Sequence, residues 1–426
     1  MKISIIGGGS TYTPELMEGL IKYSKELDID LVVLLDIPEA SEKFETVSEL
    51  CDRMLEKSGR PFKLLWTYDE KKALWDADFV IQQFRPGGLD GRIRDEKIPL
   101  KYGLIGQETT GVGGFASALR AFPIVEKYIN LIECVAPNAF VINFTNPSGM
   151  MSEFILNYLG YEKAIGLCNV PINIVNAIAE KFKVSRDKVF LKYYGLNHLS
   201  WVEKVEVDGI DETEKVLEEV YKPENIPSEG LDAEILKSLR MILNPYMRYY
   251  YMTPEMFEEE IKAEKSEGTR GEVVKKLEKE LLEIYSNKEL KEKPVQLSKR
   301  GGALYSTAAV ELIRDLHIGN RGIHILNVKN NGAISNLPGD YVLEIPVLVK
   351  KSGTASIYLG EAAKLTIGLI HTIKNFERLT IEAHIESSRE KALQALLTHP
   401  LGPRGKQAKQ LLDEIIEANK KWITIS

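Results

Sequence analysis

The sequence predicts an α/β fold in which a Rossmann-like, doubly wound parallel sheet is followed by a second, mixed α/β domain. Three observations carry this. A short β-branched run, Lys2–Ile6, ends in Gly7-Gly8-Gly9-Ser10. A second apolar run, Leu31–Leu35, ends in Asp36. Apolar runs and helical patterns then keep alternating as far as Tyr194, as in a parallel sheet with helices on both faces.

Taken in order, Lys2–Ile6 reads as the first strand. Pro14 in a tolerated first turn, followed by Leu16, Leu20 and Ile21, marks the first helix. Leu31–Leu35 is the next strand and Ser41–Lys57 a helix. Phe62–Trp66 and Phe79–Phe84 are strands, and Phe115–Val135 is a long helix. Phe140–Phe144 is a strand running into Thr145-Asn146-Pro147, and Met150–Leu159 is a helix. Ala164–Cys168 is a strand, Ile172–Phe182 a helix, and Val189–Tyr194 a further strand of the same series. After His198 the texture changes. Trp201–Val207 alternates like an antiparallel strand, and Asp211–Pro294 is charged and largely helical, most clearly at Val273–Tyr285. Val342–Val349 is an apolar strand, and Leu365–Leu397 and Ala408–Lys420 are helical. The expected division is a dinucleotide-binding domain over 1–195 and a substrate and oligomerisation domain over 196–426.

Composition narrows the function. The 44% apolar and 27% charged fractions are those of a globular protein large enough for a substantial core. A net charge of −7 argues against a nucleic-acid partner, which calls for a basic face. No apolar run approaches the roughly 20 residues that cross a bilayer, so no membrane partner is expected. Cys51, Cys134 and Cys168 are odd in number and widely spaced, which suits a reducing, cytoplasmic setting.

The glycine turn points to a dinucleotide. Gly7 permits the tight turn, and Gly9 lets the backbone, together with Ser10, approach a pyrophosphate at the helix N-terminus. Tyr12 replaces the third glycine of the usual pattern. Asp36 is placed to accept hydrogen bonds from a ribose 2′-hydroxyl and would repel a 2′-phosphate, so NAD is favoured over NADP.

A second cluster lies at the ends of later strands. Cys168 and His198 each follow an expected strand, as do Asn146-Pro147 and Arg85-Pro86-Gly87-Gly88. In an open α/β sheet the carboxyl ends of the strands are where ligands bind. A thiolate and an imidazole there are candidate metal ligands, although either alone is as readily a buried thiol or a turn-satisfying histidine.

With these residues in view, the chain resembles the NAD- and manganese-dependent enzymes of glycoside hydrolase family 4, particularly their 6-phospho-β-glucosidases. The resemblance rests on Gly7–Ser10, Arg85–Gly88, Ile98–Gly103, Gly106–Thr109, Asn143–Pro147, Cys168–Pro171, Gly195–His198, Asn244–Tyr246 and Asn330–Ile334, in order along nearly the whole chain. It implies hydrolysis of 6-phospho-β-glucosides by transient C3 oxidation with NAD, removal of the C2 proton, elimination of the aglycone and addition of water. It makes Cys168 and His198 the metal ligands and Tyr246 the base. Asn146, Asn169, Arg85 and Arg270 become substrate contacts, the arginines for the 6-phosphate. It further implies a phosphorylated disaccharide or aryl glucoside as substrate and a homodimer or homotetramer.

Three points qualify this pattern chemically. Ligand softness alone would suit zinc better than manganese for one thiolate and one imidazole, so Mn²⁺ follows from the resemblance. A phenol is a poor base near neutrality unless a cation stabilises its phenolate. The α-glucosidase members have an acid directly after the cysteine. Asn169 cannot donate a proton in that way, which points to the β-branch and leaves the general acid unnamed. The layout also resembles lactate and malate dehydrogenases, so a 2-hydroxy acid dehydrogenase is the first alternative. A non-enzymatic NAD-binding redox sensor is the second.

Overall fold

Six strands form the expected parallel core: β1 (Lys2–Ile6), β2 (Leu31–Leu35), β3 (Lys63–Thr67), β4 (Phe79–Gln82), β5 (Phe140–Asn143) and β6 (Ala164–Gly166). They lie in the order β3-β2-β1-β4-β5-β6, every pair parallel. This is the doubly wound dinucleotide-binding arrangement, with its crevice where the order reverses beside β1. The computed structural model describes residues 1–220, 222, 232–300 and 305–425. In β1, β2 and β4 nearly every residue is buried, as expected of strands covered by helices on both faces.

The next strand departs from expectation. β7 (Val189–Leu196) is not a further parallel strand; it belongs to a second, antiparallel sheet with β8 (Leu199–Val207), β9 (Ile210–Asp211) and β10 (Ile242–Leu243). Leu196 pairs with Leu199, so Asn197 and His198 are the two turn residues of a hairpin, with His198 at φ 65°. A two-residue connection can join only antiparallel strands. The edge of β6 is occupied instead by β11 (Ile323–Lys329), antiparallel, followed by β12 (Val342–Lys350) and β13 (Gly353–Ser356). One hydrophobic core consequently joins Ile142 and Phe154 of the first half to Ile345 and Ile381 of the second.

Two long helices outside the expected set, Gly88–Lys101 and Tyr305–Ile318, are present, as is the short helix Glu70–Leu74. Pro99 inside the first obscures its pattern. The long helix begins at Gly111, four residues before Phe115. A Cβ on Gly113 would collide with the Gln107 carbonyl, so the preceding loop packs directly on the start of the helix. The segment expected helical over Leu365–Leu397 is two helices, Lys364–Ile385 and Arg389–Thr398, parted where Ser387 takes φ 49° and the Ser388 side chain caps Lys391. Between 211 and 294 the described residues are largely helical, including Arg270–Tyr285; residues 221 and 223–231 lie outside them. Among the described residues no helix is long and apolar enough to cross a membrane.

Candidate active site

Two cavities share a wall at the carboxyl ends of the parallel strands. The first, of roughly 630 Å³, is lined by Gly7, Gly9, Ser10 and Asp36 together with Arg85 and Asn146. Asp36 accepts the Gly9 amide at 2.7 Å and the Ile37 amide at 2.9 Å. A Cβ on Gly9 would lie 2.8 Å from the Asp36 carboxylate, so only glycine lets this backbone pass so close. Burial raises the Asp36 carboxyl above its ordinary value, and the two amides oppose the rise. Each carboxylate oxygen retains acceptor capacity for a sugar hydroxyl.

The second cavity, of roughly 740 Å³, is lined by Asn169, His198, Tyr246 and Arg270, and shares Arg85 and Asn146 with the first. Cys168 caps the N-terminus of the helix Asn169–Phe182, at the end of β6. His198 reaches it from the hairpin, leaving Cys168 Sγ and His198 Nε2 3.7 Å apart. The Asn197 side chain steadies that turn by donating to buried Glu344 at 2.9 Å. Zinc, whose bonds to sulfur and nitrogen are well defined, would place two such ligand atoms about 3.6 Å apart in its tetrahedral sites. The pair therefore fits one shared ion. Among the described residues no group of three His, Cys, Asp or Glu gathers there, so further ligands would be non-protein oxygens. Burial pushes the Cys168 thiol up to about 12 and the His198 imidazole down to about 4. Both are neutral near pH 7 in the protein by itself.

Tyr246 is brought in by the second sheet. β10 pairs with Trp201 and Val202 of β8, and Asn244, just beyond β10, accepts the Tyr246 amide at 3.0 Å. The Tyr246 ring then lies flat on the His198 imidazole. Burial drives its phenol up, with Cys168 and Glu108 adding and Arg92 opposing. The surrounding protein groups thus leave it protonated.

Arg85 follows β4, and its loop is held by Arg120, whose guanidinium pairs with buried Asp95 and donates to the Pro86 carbonyl at 3.2 Å. Arg85 pairs with Glu108, which also takes Arg92 at 3.0 Å. Burial would raise the Glu108 carboxyl, but the two guanidiniums outweigh it and hold it below its ordinary value. Arg270, at the start of its helix, is exposed at the rim and donates to the Arg300 carbonyl at 3.3 Å. Arg300 lines both cavities; its Nε and Nη1 are buried and have no hydrogen-bond partner among the described residues. The residues singled out from sequence thus gather around the two adjoining cavities, with Cys168 reached through His198. Sequence reasoning did not single out Arg92, Arg300 or the side chains of Gln107, Glu108 and Thr109. Arg92 lies on the helix obscured by Pro99, which begins just after the Arg85 loop.

A dinucleotide crevice opening onto a thiol–imidazole pair and a tyrosine defines a Rossmann-type enzyme with a metal-assisted site. The chain belongs to glycosyl hydrolase family 4. The family's main model matches residues 2–184 and that of its C-terminal domain residues 193–402. The chain is 51% identical over 426 residues to 6-phospho-β-glucosidase BglT of Thermotoga maritima, covering 100% of each. It is 37% identical over 432 residues to a 6-phospho-β-glucosidase of Escherichia coli K12, covering 99% of this chain and 96% of that one. A solved structure of the T. maritima enzyme with manganese, NAD⁺ and glucose 6-phosphate matches at a TM-score of 0.94 and 51% identity, covering 100% of both chains. A lactate dehydrogenase of Cryptosporidium parvum shares the fold at a TM-score of 0.55 and 18% identity, covering 90% of this chain and 97% of that one.

Proposed function

We propose that this protein hydrolyses 6-phospho-β-glucosides to glucose 6-phosphate and an aglycone, with NAD and a divalent metal, manganese or a similar ion, as cofactors. The observation that carries the reading is the approach of Cys168 to 3.7 Å from His198, which stacks on Tyr246 and with it lines a cavity that adjoins the dinucleotide crevice. Relatives named for this activity support it along the full chain. The likeness to lactate dehydrogenase extends to the fold alone.

When bound, NAD supplies a hydride acceptor for C3 of the sugar. The metal supplies a Lewis acid for the sugar oxygens and a positive charge near the Tyr246 phenol. The protein's own groups do the rest. Cys168 and His198 are the metal ligands. Tyr246 takes the C2 proton once its phenol is brought down by a nearby cation, and the flat packing on His198 keeps its hydroxyl aimed along one direction. Asn146 lines both cavities, which suits a contact to the sugar between cofactor and metal. Asn169, at the first turn of its helix, offers hydrogen bonds but no acidic proton, so leaving-group protonation falls to water or another acid. Arg85 and Arg270 present guanidinium forks that match a phosphate monoester. The substrate on this reading is a phosphorylated disaccharide or aryl glucoside, and the working form is a homodimer or homotetramer, which light scattering measures.

The test is hydrolysis of p-nitrophenyl 6-phospho-β-glucoside with NAD⁺, Mn²⁺ and reductant, each omitted in turn, beside the unphosphorylated glucoside. Activity should require all three additions and the phosphate. Full activity after exhaustive removal of both cofactors, or equal rates on the two glucosides, would overturn the reading.

A further inference from the structure

His198 can hold a metal through Nε2 only in the tautomer that carries its proton on Nδ1. In a neutral imidazole the partner of one nitrogen decides the state of the other. The partner here is Thr109, whose Oγ1 lies 2.8 Å from His198 Nδ1. A hydroxyl can either give or take at that contact, so the outcome depends on what else Thr109 touches.

Its second neighbour is the side chain of Gln107. The Gln107 Oε1 accepts the Thr109 backbone amide at 2.7 Å and lies 2.9 Å from Thr109 Oγ1. The amide N–H faces this atom, so it must be the carbonyl oxygen: the flipped side chain would set two donors against each other. The hydroxyl has one hydrogen, and Gln107 Oε1 can only accept. Were that hydrogen turned to His198, two oxygen lone pairs would face each other at 2.9 Å. The hydroxyl therefore donates to Gln107, and its free lone pair takes the proton of His198 Nδ1.

We infer that Thr109, locked by Gln107, is a positioning residue that holds His198 as its Nδ1–H tautomer and so turns the Nε2 lone pair toward Cys168 and the metal. This rests on the reading of His198 as a metal ligand, and extends it to two residues of the loop that forms part of the second cavity's wall. The loop is well placed for the task. Thr110 is the N-cap of the 25-residue helix Gly111–Val135, Gln107 packs on Gly113 of that helix, and Glu108 is pinned by Arg85 and Arg92.

Thr109→Val keeps the side-chain shape and removes the hydroxyl. The protein has 6 histidines, and His198→Ala assigns the resonance of interest in a [¹⁵N]histidine spectrum of the metal-free protein. The wild type should show His198 as Nδ1–H, and Thr109→Val should move it toward Nε2–H. Mn²⁺ affinity, followed by the paramagnetic resonance of the free ion, should weaken roughly 10–100-fold. Thr109→Ser should restore both. Gln107→Met, which frees the hydroxyl to donate to Nδ1, should shift both in the same sense as Thr109→Val. NAD affinity, unchanged throughout, reports that the fold is intact. An Nε2–H signal in the wild type overturns the inference whether or not any variant folds. So does Thr109→Val with wild-type tautomer and Mn²⁺ affinity. If His198→Ala and Cys168→Ala bind Mn²⁺ normally, the metal reading fails instead, and the tautomer spectrum still judges Thr109.

Discussion

The ring of Tyr246 lies flat on the imidazole of His198, with 3.7 Å between centroids and 3° between planes. On the proposed reading, a base on one element thereby takes its orientation from a metal ligand on another. The stack needs only the ring, whereas proton transfer needs the hydroxyl. Tyr246→Phe should therefore fold and bind NAD and Mn²⁺ as the wild type does, while turnover falls by about 10²–10⁴-fold. Exchange of deuterium at C2 of the substrate with solvent separates this from a positional effect. Exchange should vanish with the hydroxyl, and its persistence would remove Tyr246 as the base.

Arg270 offers a test of the phosphate anchor in which stability and binding part company. Its side chain is exposed and its hydrogen bond goes to a carbonyl at the rim. Arg270→Met should change stability by less than about 0.5 kcal/mol, as surface substitutions usually do. A lost charge-assisted hydrogen bond to phosphate would cost about 1.5–3 kcal/mol, or roughly 10–100-fold in KM for the 6-phosphorylated substrate. NAD⁺ and Mn²⁺ affinities should stay unchanged. An unaltered KM returns Arg270 to ordinary surface charge.

On the proposed reading, Asp36 selects NAD over NADP. Its carboxylate is tied by the Gly9 and Ile37 amides at the mouth of the glycine turn, where a 2′-phosphate would meet a negative charge. Asp36→Ser keeps a short polar group without that charge. It should weaken NAD⁺ and narrow the NAD⁺/NADP⁺ preference by at least about tenfold, corresponding to ~1.4 kcal/mol. Binding of the two cofactors, measured by fluorescence titration, checks it.

What could be read from the sequence was what is local. Strand, glycine turn and acid are consecutive, so the crevice that Gly7, Gly9 and Asp36 line was legible before any fold existed. Cys168 and His198 were legible as turn residues beside strands, because a chemically capable side chain in such a place has few structural duties. The strand before His198 was misassigned for a physical reason: an apolar run looks the same in a parallel sheet and in a hairpin. What distinguishes them here is the edge of β6, occupied by β11 from more than 150 residues later. Thr109 and Arg92 stayed hidden for the same cause. Their significance lies in partners 89 and 16 residues away, His198 and Glu108, and no local pattern encodes those distances.

Glu260 gives the second cavity a pH signature separate from catalysis. Its carboxylate accepts the Gly106 amide at 2.7 Å on the wall of that cavity. Burial pushes the carboxyl up from the ordinary 4.5 to about 7, against that hydrogen bond, with Glu96 adding to the rise. The folded value therefore lies above the unfolded one. Below about pH 4.5 both states hold the proton and the contribution of the group is fully present. As pH rises toward 7 the unfolded chain ionises first, and stability is lost until the folded form ionises too. The loss reaches about 3 kcal/mol for a shift of this size. Glu260→Gln keeps an oxygen for Gly106 and cannot ionise. Measured by urea unfolding from pH 4.5 to 7.5, its stability relative to wild type should rise by up to that amount across the interval and level off above pH 7. A difference that stays flat with pH would mean that the Glu260 carboxylate reaches solvent freely and that this wall of the cavity is open.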